Sequence, residues 1–419
     1  MTTAFLRWAF VRAALARGWW LVTALYLVVN AGLSPSQLVL IGVFQGLTVV
    51  IAEVPAGVLA DALSRRRALV LAHVVMGAGM AMTGFVTAFP LLVVAQCLWG
   101  LGWAISSGAD VAWITDELDR ADLIDRVLVA QGRFDLVGAA VGIVLFGVVG
   151  WATSLAVAIV FAGASMVVLG VVVVGRWPEA PLPSAGAGST RAASSAIWRE
   201  GVATARADRT ILLVLACTLL VNGGAEGFGR LFELHLIGLG LPATPEPLVW
   251  FTAVALVAAA LGAVMLRVVE ARIDDAGRAR GAYGAACAIG AVGLVVFAHA
   301  PDAASAVAGA LVVRGIGFPT VRVAGTVLVN RRTPSATRAT LHSMLSQAEN
   351  LGEVICGIAL AATAAVASAT VALMASAAML AAAAIVIRGA EDGPRRDGPR
   401  RGDGHGRGRR GGGCARAPG

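Results

Sequence analysis

The chain has 419 residues, of which 58% are hydrophobic and only 14% are charged. Its mean hydropathy of +0.81 excludes a soluble globular protein and predicts an all-α integral membrane protein with about twelve spans of roughly 20 residues. The 33 basic residues are all arginine. They lie mainly in short loops and a C-terminal tail, so they indicate membrane orientation and not nucleic-acid binding.

Six apolar segments in the first part of the chain predict spans at 14–33, 37–60, 68–88, 90–114, 129–149 and 154–174. Residues 1–175 therefore form a predicted N-terminal six-helix bundle. Residues 176–209 hold prolines, a Ser/Gly/Ala run and five arginines. Because such a segment is too polar for lipid, we predict a cytoplasmic linker with an interfacial helix near 197–207.

The second half repeats this plan, with predicted spans at 211–239, 249–269, 281–298, 303–328, 341–362 and 366–387. Residues 210–387 thus form a second six-helix bundle. Residues 388–419 are rich in Gly and Arg with almost nothing apolar, which predicts a disordered cytoplasmic tail.

The arginines divide cleanly between the two sides of this twelve-span arrangement. The loops that follow even-numbered spans carry them, and the loops that follow odd-numbered spans carry none. By the positive-inside rule, both termini are expected in the cytoplasm and the protein in the cell (plasma) inner membrane.

The hairpin between spans two and three has a counterpart between spans eight and nine. Aligning residues 61–67 with 274–280 places Ser64 on Gly277 and Arg65 on Arg278. A second match, of 100–103 in span four with 315–318 in span ten, supports an internal duplication, which is typical of transporters.

The hairpin resembles the signature of the major facilitator superfamily, in which Gly, three residues, Asp, two residues and Gly precede basic residues. Gly57, Asp61, Arg65 and Arg66 keep this pattern, while Ser64 replaces the second Gly. The resemblance implies two pseudo-symmetric six-helix bundles that rock around a central cavity. A narrower likeness to prokaryotic drug-efflux permeases rests on residues 53–57 and 107–117.

We expect the hairpin charges to form a latch that breaks during alternating access. Asp61 would accept from backbone N–H groups of a neighbouring helix, and Arg65 and Arg66 would pair with Asp116 or Glu117. The alternative is that these charges only fix topology. The predicted latch comprises Gly57, Asp61, Arg65, Arg66, Asp274, Gly277 and Arg278.

Ionisable residues at membrane depth are costly and point to function. Span seven carries Asn222, Glu226, Arg230 and Glu233 at helical spacing on a glycine-rich segment, which indicates a stripe facing a cavity. Glu226 and Arg230 could instead neutralise each other. The candidates for proton or substrate binding are Glu53, Asp110, Asn222, Glu226, Arg230 and Arg314.

Arg314 in span ten is expected to hold Glu349 or Glu353, or to bind an anionic substrate. In antiporters of the superfamily that this chain resembles, span four carries an arginine at the position that Gln96 occupies here. The antiporter signature therefore lacks its arginine in this chain. Trp19, Trp20, Trp151 and Trp177 are predicted interface anchors. Trp99, Trp103 and Trp113 could face the cavity, although core packing is the simpler interpretation.

The five cysteines are scattered along the chain, so they predict neither a disulfide framework nor a metal site. No catalytic motif suggests an enzyme.

We predict a monomeric secondary transporter with a small-molecule substrate, the lipid bilayer as its surroundings and no cofactor besides a proton gradient. Proton-coupled efflux of lipophilic or cationic compounds is the first hypothesis. The alternative is an importer or uniporter of a metabolite such as an organic anion or sugar, which a cavity wall of paired arginines would favour.

Overall fold

The computed structural model describes residues 2–107, 109–118, 121–178, 199, 202–203, 205–242, 244–273, 275–333 and 338–389. The described residues fold as helices, and 12 of these are long and apolar enough to cross a membrane. This confirms the predicted all-α membrane fold and its span count. Most of the predicted linker, and all but two residues of the predicted tail, lie outside the described residues.

The first half holds six spans, of which the fourth is broken in two. Its helices are α1 (Thr2–Val29), α2 (Pro35–Ala62), α3 (Arg65–Phe85), α4 (Phe89–Ser106), α5 (Ala109–Leu118), α6 (Ala121–Ala152) and α7 (Leu155–Arg176). Serines begin several of them. Ser34 forms a capping box with Gln37 before α2, and the Ser154 hydroxyl accepts from Val157 N at the start of α7. Such caps satisfy N–H groups that a helix leaves unpaired.

The second half repeats this order, and its fourth span is also irregular. Its helices are α8 (Arg209–Gly238), α9 (Pro247–Arg272), α10 (Ala276–Ala298), α11 (Ala303–Leu311), a π-helical turn (Val312–Gly317), α12 (Phe318–Arg332), α13 (Arg338–Val366) and α14 (Ala369–Val386). The π turn inserts extra backbone into span ten and rotates the side chains that follow it.

The matched glycine pairs of spans four and ten occupy equivalent places. A Cβ on Gly102 would lie 2.7 Å from the Ala72 carbonyl oxygen of α3, and one on Gly317 would lie 3.3 Å from Gly290 Cα of α10. Each irregular span therefore packs closely against the third span of its own half. This repetition agrees with the duplication inferred from the sequence.

The first span begins earlier than predicted. Helix α1 starts at Thr2 and ends at Val29, whereas the sequence interpretation placed the span at 14–33 and left Arg7 and Arg12 before it. The charge of Arg12 is accommodated inside the bundle because its Nη1 lies 3.2 Å from Asp110 Oδ2. A paired charge is tolerated at a depth where an isolated one would be costly.

The two halves meet along α1, α2, α6, α8, α9 and α13. A Cβ on Gly147 of α6 would lie 2.6 Å from Thr252 Oγ1 of α9, and one on Gly357 of α13 would lie 2.7 Å from Val43 Cγ2 of α2. Small residues at these positions let helices of opposite halves approach closely. The candidate site is the space that remains between the two halves along the bundle axis.

A candidate transport site between two cavities

Two cavities lie on the axis between the halves. We call the end of the bundle that carries the α2–α3 loop the hairpin end. The hairpin-end cavity has a volume of about 410 Å³ and is lined by residues such as Glu53 and Ser346. The other cavity, of about 400 Å³, reaches Leu27 and Leu38 near the α1–α2 loop, at the opposite end. Trp20, Glu226 and Arg230 line both cavities.

Arg230 organises the layer between the cavities. Its Nε donates to Glu226 Oε1 at 2.7 Å within α8, and its Nη2 donates to Gln45 Oε1 of α2 at 2.9 Å. Its guanidinium also lies 5.0 Å from the centre of the Trp20 ring on α1. We call Trp20, Gln45, Glu226 and Arg230 the ionic layer. Since α8 belongs to one half and α1 and α2 to the other, the layer joins the two halves.

Gly42 makes room for this layer. A Cβ at Gly42 would overlap Glu226 Oε1 and would lie 2.7 Å from Arg230 Nε. Helix α2 therefore passes so close to the ion pair that any larger residue at position 42 would displace the Glu226 and Arg230 side chains. The sequence offered no signal for Gly42, because the need arises from a neighbouring helix.

Acidic side chains predominate in the hairpin-end cavity. Its charged lining is Glu53, Glu226, Glu349, Glu353, Arg230 and Arg322. Arg322 Nη2 lies 3.6 Å from Glu349 Oε2, and Gln347 Nε2 donates to Glu53 Oε2 across the halves. The predicted pairing of Arg314 with Glu349 or Glu353 is wrong, because Arg314 comes within 4.0 Å of neither carboxylate and Arg322 pairs with Glu349 instead.

Arginines predominate in the opposite-end cavity. Arg17, Arg230 and Arg314 line it together with Glu226 and Glu233. Arg314 sits in the π turn, with its guanidinium 3.9 Å from the centre of the Phe232 ring and 5.3 Å from that of Phe228. Neither Arg17 nor Arg314 comes within 4.0 Å of a carboxylate oxygen among the described residues.

Asn222 and Asp110, the two remaining candidates for proton or substrate binding, line neither cavity. Asn222 Nδ2 donates to the Thr218 carbonyl oxygen of its own helix at 2.8 Å. Asp110 is buried at the start of α5 and pairs with Arg12, whose guanidinium also lies 4.5 Å from the centre of the Trp8 ring. Asp110 thus joins α5 to α1 within one half.

The latch prediction stays a prediction. The side chains of Gly57, Asp61 and Asp116 lie outside the described part of the chain, as does Asp274 altogether. Arg66 Nη1 donates to the carbonyl oxygen of Trp177 at 2.9 Å, next to the end of α7. A cation placed there also complements the negative end of a helix.

The two hairpins begin their second helices in the same way. Ser64 Oγ accepts from Arg67 N before α3, and Asp275 Oδ1 accepts from Arg278 N before α10. Counting from these caps, Ser64 corresponds to Asp275 and not to Gly277, two residues from the alignment based on sequence. Asp275 supplies the side-chain acceptor that caps α10, as Ser64 does for α3, whereas Gly277 lies inside α10.

The tryptophan predictions were partly wrong. Trp19 and Trp177 are buried and Trp20 belongs to the ionic layer, so these three do not anchor the surface. Trp151 is exposed, as an anchor would be. Trp113 is buried against Trp177, with ring centres 3.8 Å apart. Trp99 and Trp103 line the hairpin-end cavity, which supports the alternative first set aside for them.

Two bundles enclosing an axial site lined with charges define a polytopic membrane transporter. The chain belongs to the Major Facilitator Superfamily, whose family model matches residues 9–357. A comparison with curated protein sequences found no match.

Solved structures show the same fold at low sequence identity. A mutant of the nucleoside transporter NupG superposes with a TM-score of 0.75 at 13% identity, over 92% of this chain and 98% of the other. A bacterial homologue of the human lysosomal transporter Spinster, inward-facing and unoccupied, gives 0.71 at 14% identity, over 92% and 95%. The peptide transporter POT in complex with sulfate gives 0.71 at 14% identity, over 92% and 93%. At these identities the likeness establishes the fold and leaves the substrate open.

Proposed function

We propose that the protein is a proton-coupled secondary transporter that exports lipophilic or cationic small molecules by alternating access. The carrying observation is the hairpin-end cavity, where four glutamates and two arginines line one space together with three tryptophans. A cation entering this cavity meets carboxylates in excess over guanidinium groups, and a lipophilic body meets aromatic rings. We place the hairpin end in the cytoplasm because it carries the arginine-rich loops.

The ionic layer is a place where the binding of a proton can be coupled to the contact between the two halves. Glu226 lies within its ion pair with Arg230, and both side chains are largely shielded, with 15% and 10% of their surfaces exposed. Protonation of Glu226 would remove one charge of the pair and weaken the 2.7 Å contact. Arg230 would then be free to rearrange against Gln45, which belongs to the other half. A bistable contact of this kind is what an alternating mechanism needs.

The test is transport in proteoliposomes that contain the purified full chain. An inward proton gradient is imposed on vesicles and the movement of a fluorescent lipophilic cation is followed. We expect gradient-dependent transport by the native chain and at least a tenfold loss in Glu226→Gln, which keeps the shape but cannot carry the charge.

The matched control is Glu270→Gln, at an exposed glutamate of α9 that lines neither cavity. It should transport like the native chain. Dye movement that ignores the gradient, or a Glu226→Gln variant as active as Glu270→Gln, would overturn the proposal.

The second candidate function is uptake of an organic anion. It is favoured by Arg17 and Arg314, which line the opposite-end cavity without a carboxylate within 4.0 Å among the described residues. The discriminating measurement is competition: an organic anion that blocks cation transport in the native chain but not in Arg314→Gln would support this function.

A further inference from the structure

Three indole rings form a ladder that ends in the hairpin-end cavity. Trp19 of α1 stacks on Trp99 of α4 with ring centres 5.9 Å apart and an interplanar angle of 11°. Trp99 stacks in turn on Trp103, one helical turn further along, at 5.6 Å and 10°. Offset stacking at these separations is the arrangement that aromatic pairs prefer.

Exposure rises along the ladder. Trp19 is 0% exposed, Trp99 is 7% exposed and Trp103 is 42% exposed. Trp20 braces the ladder edge-on, with its ring centre 5.5 Å from that of Trp99 at 79°. The last ring, Trp103, is therefore held in a fixed orientation by rings behind it and presents exposed aromatic surface within the cavity that it lines.

The ladder and two of the cavity's four glutamates sit on different halves. Trp19, Trp99 and Trp103 belong to α1 and α4, whereas Glu349 and Glu353 belong to α13. All but Trp19 line the same cavity of about 410 Å³, a volume suited to a ligand of drug size. A ligand with a flat aromatic part and a positive charge could contact an indole of one half and a carboxylate of the other.

We infer that Trp103 is the stacking subsite for a planar aromatic cation, with the charge of the ligand held by the α13 glutamates. This inference names the substrate class of the proposed transport site and rests on that proposal. Aromatic rings attract both flat π-systems and cations, and a preorganised ring loses little freedom on binding. An aliphatic cation could pair with the glutamates but could not stack on Trp103, and an aromatic anion could stack on Trp103 but would be repelled by the glutamates.

Binding of ethidium to the purified full chain tests the inference without any gradient. Affinity is measured by equilibrium dialysis, with tetrapropylammonium as a cation that lacks a ring and naphthalenesulfonate as an aromatic anion. We expect ethidium to bind tightest, Trp103→Ala to weaken ethidium about tenfold, and Trp103→Phe to restore most of the affinity. Tetrapropylammonium keeps only the cation–π attraction to the ring and has nothing to stack, so Trp103→Ala should weaken it clearly less than it weakens ethidium.

Trp151→Ala is the matched control, because Trp151 is 58% exposed and lines neither cavity. Its ethidium affinity should equal that of the native chain. Unchanged ethidium affinity in Trp103→Ala, or an equal loss for tetrapropylammonium, would overturn the inference.

The binding result is separable from the proton-coupling result. A tenfold ethidium loss in Trp103→Ala alongside active Glu226→Gln would uphold the stacking subsite and refute the proposed coupling. Normal ethidium binding by Trp103→Ala alongside inactive Glu226→Gln would do the reverse.

Discussion

Replacing Gly42 by alanine should uncouple the ionic layer while leaving the fold in place. The new Cβ would overlap Glu226 Oε1, would lie 2.8 Å from Glu226 Cδ and would lie 2.7 Å from Arg230 Nε. These atoms are the ends of side chains and not backbone. Glu226 must therefore rotate away from Arg230, whereas α2 can stay where it is.

The expected stability change is a difference between two opposing effects. Alanine gains about 1 kcal/mol over glycine in a helix interior. Separating a buried ion pair costs about 3–5 kcal/mol when one charge is left unpaired. Because both charged side chains are flexible at their ends and can find new positions in the adjoining cavities, we expect a net loss of about 1–2 kcal/mol, near the low end for overpacked sites.

Two assays separate the effect on the layer from the effect on the fold. Thermal unfolding of the purified protein should show the modest loss, and proton-driven transport should fall at least tenfold. Gly46→Ala is the control, one turn along α2, where the nearest atom to a Cβ would be Val354 Cγ2 at 3.2 Å. If Gly42→Ala and Gly46→Ala behave alike in both assays, the close approach of α2 to the ion pair has no functional role.

Three further predictions concern the helix ends and the cavity rim. Ser64→Ala removes the cap of α3 and should lower the thermal stability by about 1 kcal/mol, whereas Ser64→Gly should cost only a few tenths; equal losses would argue against the cap. Arg322→Ala should cost less than about 1 kcal/mol in thermal unfolding, because exposed pairs contribute little and the Arg322 side chain is 73% exposed; a larger loss would show that the pair is structural. The Arg278 backbone N–H donates to the Asp275 carboxylate and lowers the pKa of that carboxyl. The ionised cap therefore stabilises the start of α10 at any pH above the ordinary pKa of an aspartate, and this stabilisation is lost as the pH falls through the lowered pKa of Asp275. We therefore expect the protection of the Arg278 backbone N–H against hydrogen exchange, corrected for the intrinsic rate, to fall in acid in the native chain. It should not fall in Asp275→Asn, whose side chain does not titrate. A loss of protection in both proteins would refute the assignment.

The span count was predictable because the membrane imposes it. A helix must remain apolar for about 20 residues to cross the hydrocarbon core, so the hydropathy of the sequence is enough to find each span. The first span shows where this reasoning stops. Arg12 falls outside the predicted span, which begins at residue 14, yet its guanidinium lies inside the bundle, 3.2 Å from Asp110. Hydropathy cannot register a partner that comes from another helix.

The candidate site was predictable along one helix and not between helices. The spacing of Glu226 and Arg230 follows from helical periodicity, and the structure joins them. Gln45 and Trp20 carry no such signal, because their contacts to Arg230 depend on how α1 and α2 pack against α8. The pairing of Glu349 with Arg322 and not with Arg314 has the same origin. The π turn at Val312–Gly317 resets the rotation of span ten, which a regular helical projection cannot anticipate.

Arg230 explains why the two cavities and the coupling belong to one mechanism. Within α8 it neutralises Glu226, and across the halves it bonds Gln45 and covers the Trp20 ring. A guanidinium offers several donors in a fixed plane, so it can hold both partners at once. Under the proposed coupling, a proton on Glu226 removes the charge that orients the guanidinium toward α8. The bond to Gln45 then loses its fixed geometry, and the layer between the cavities opens only when the proton has arrived.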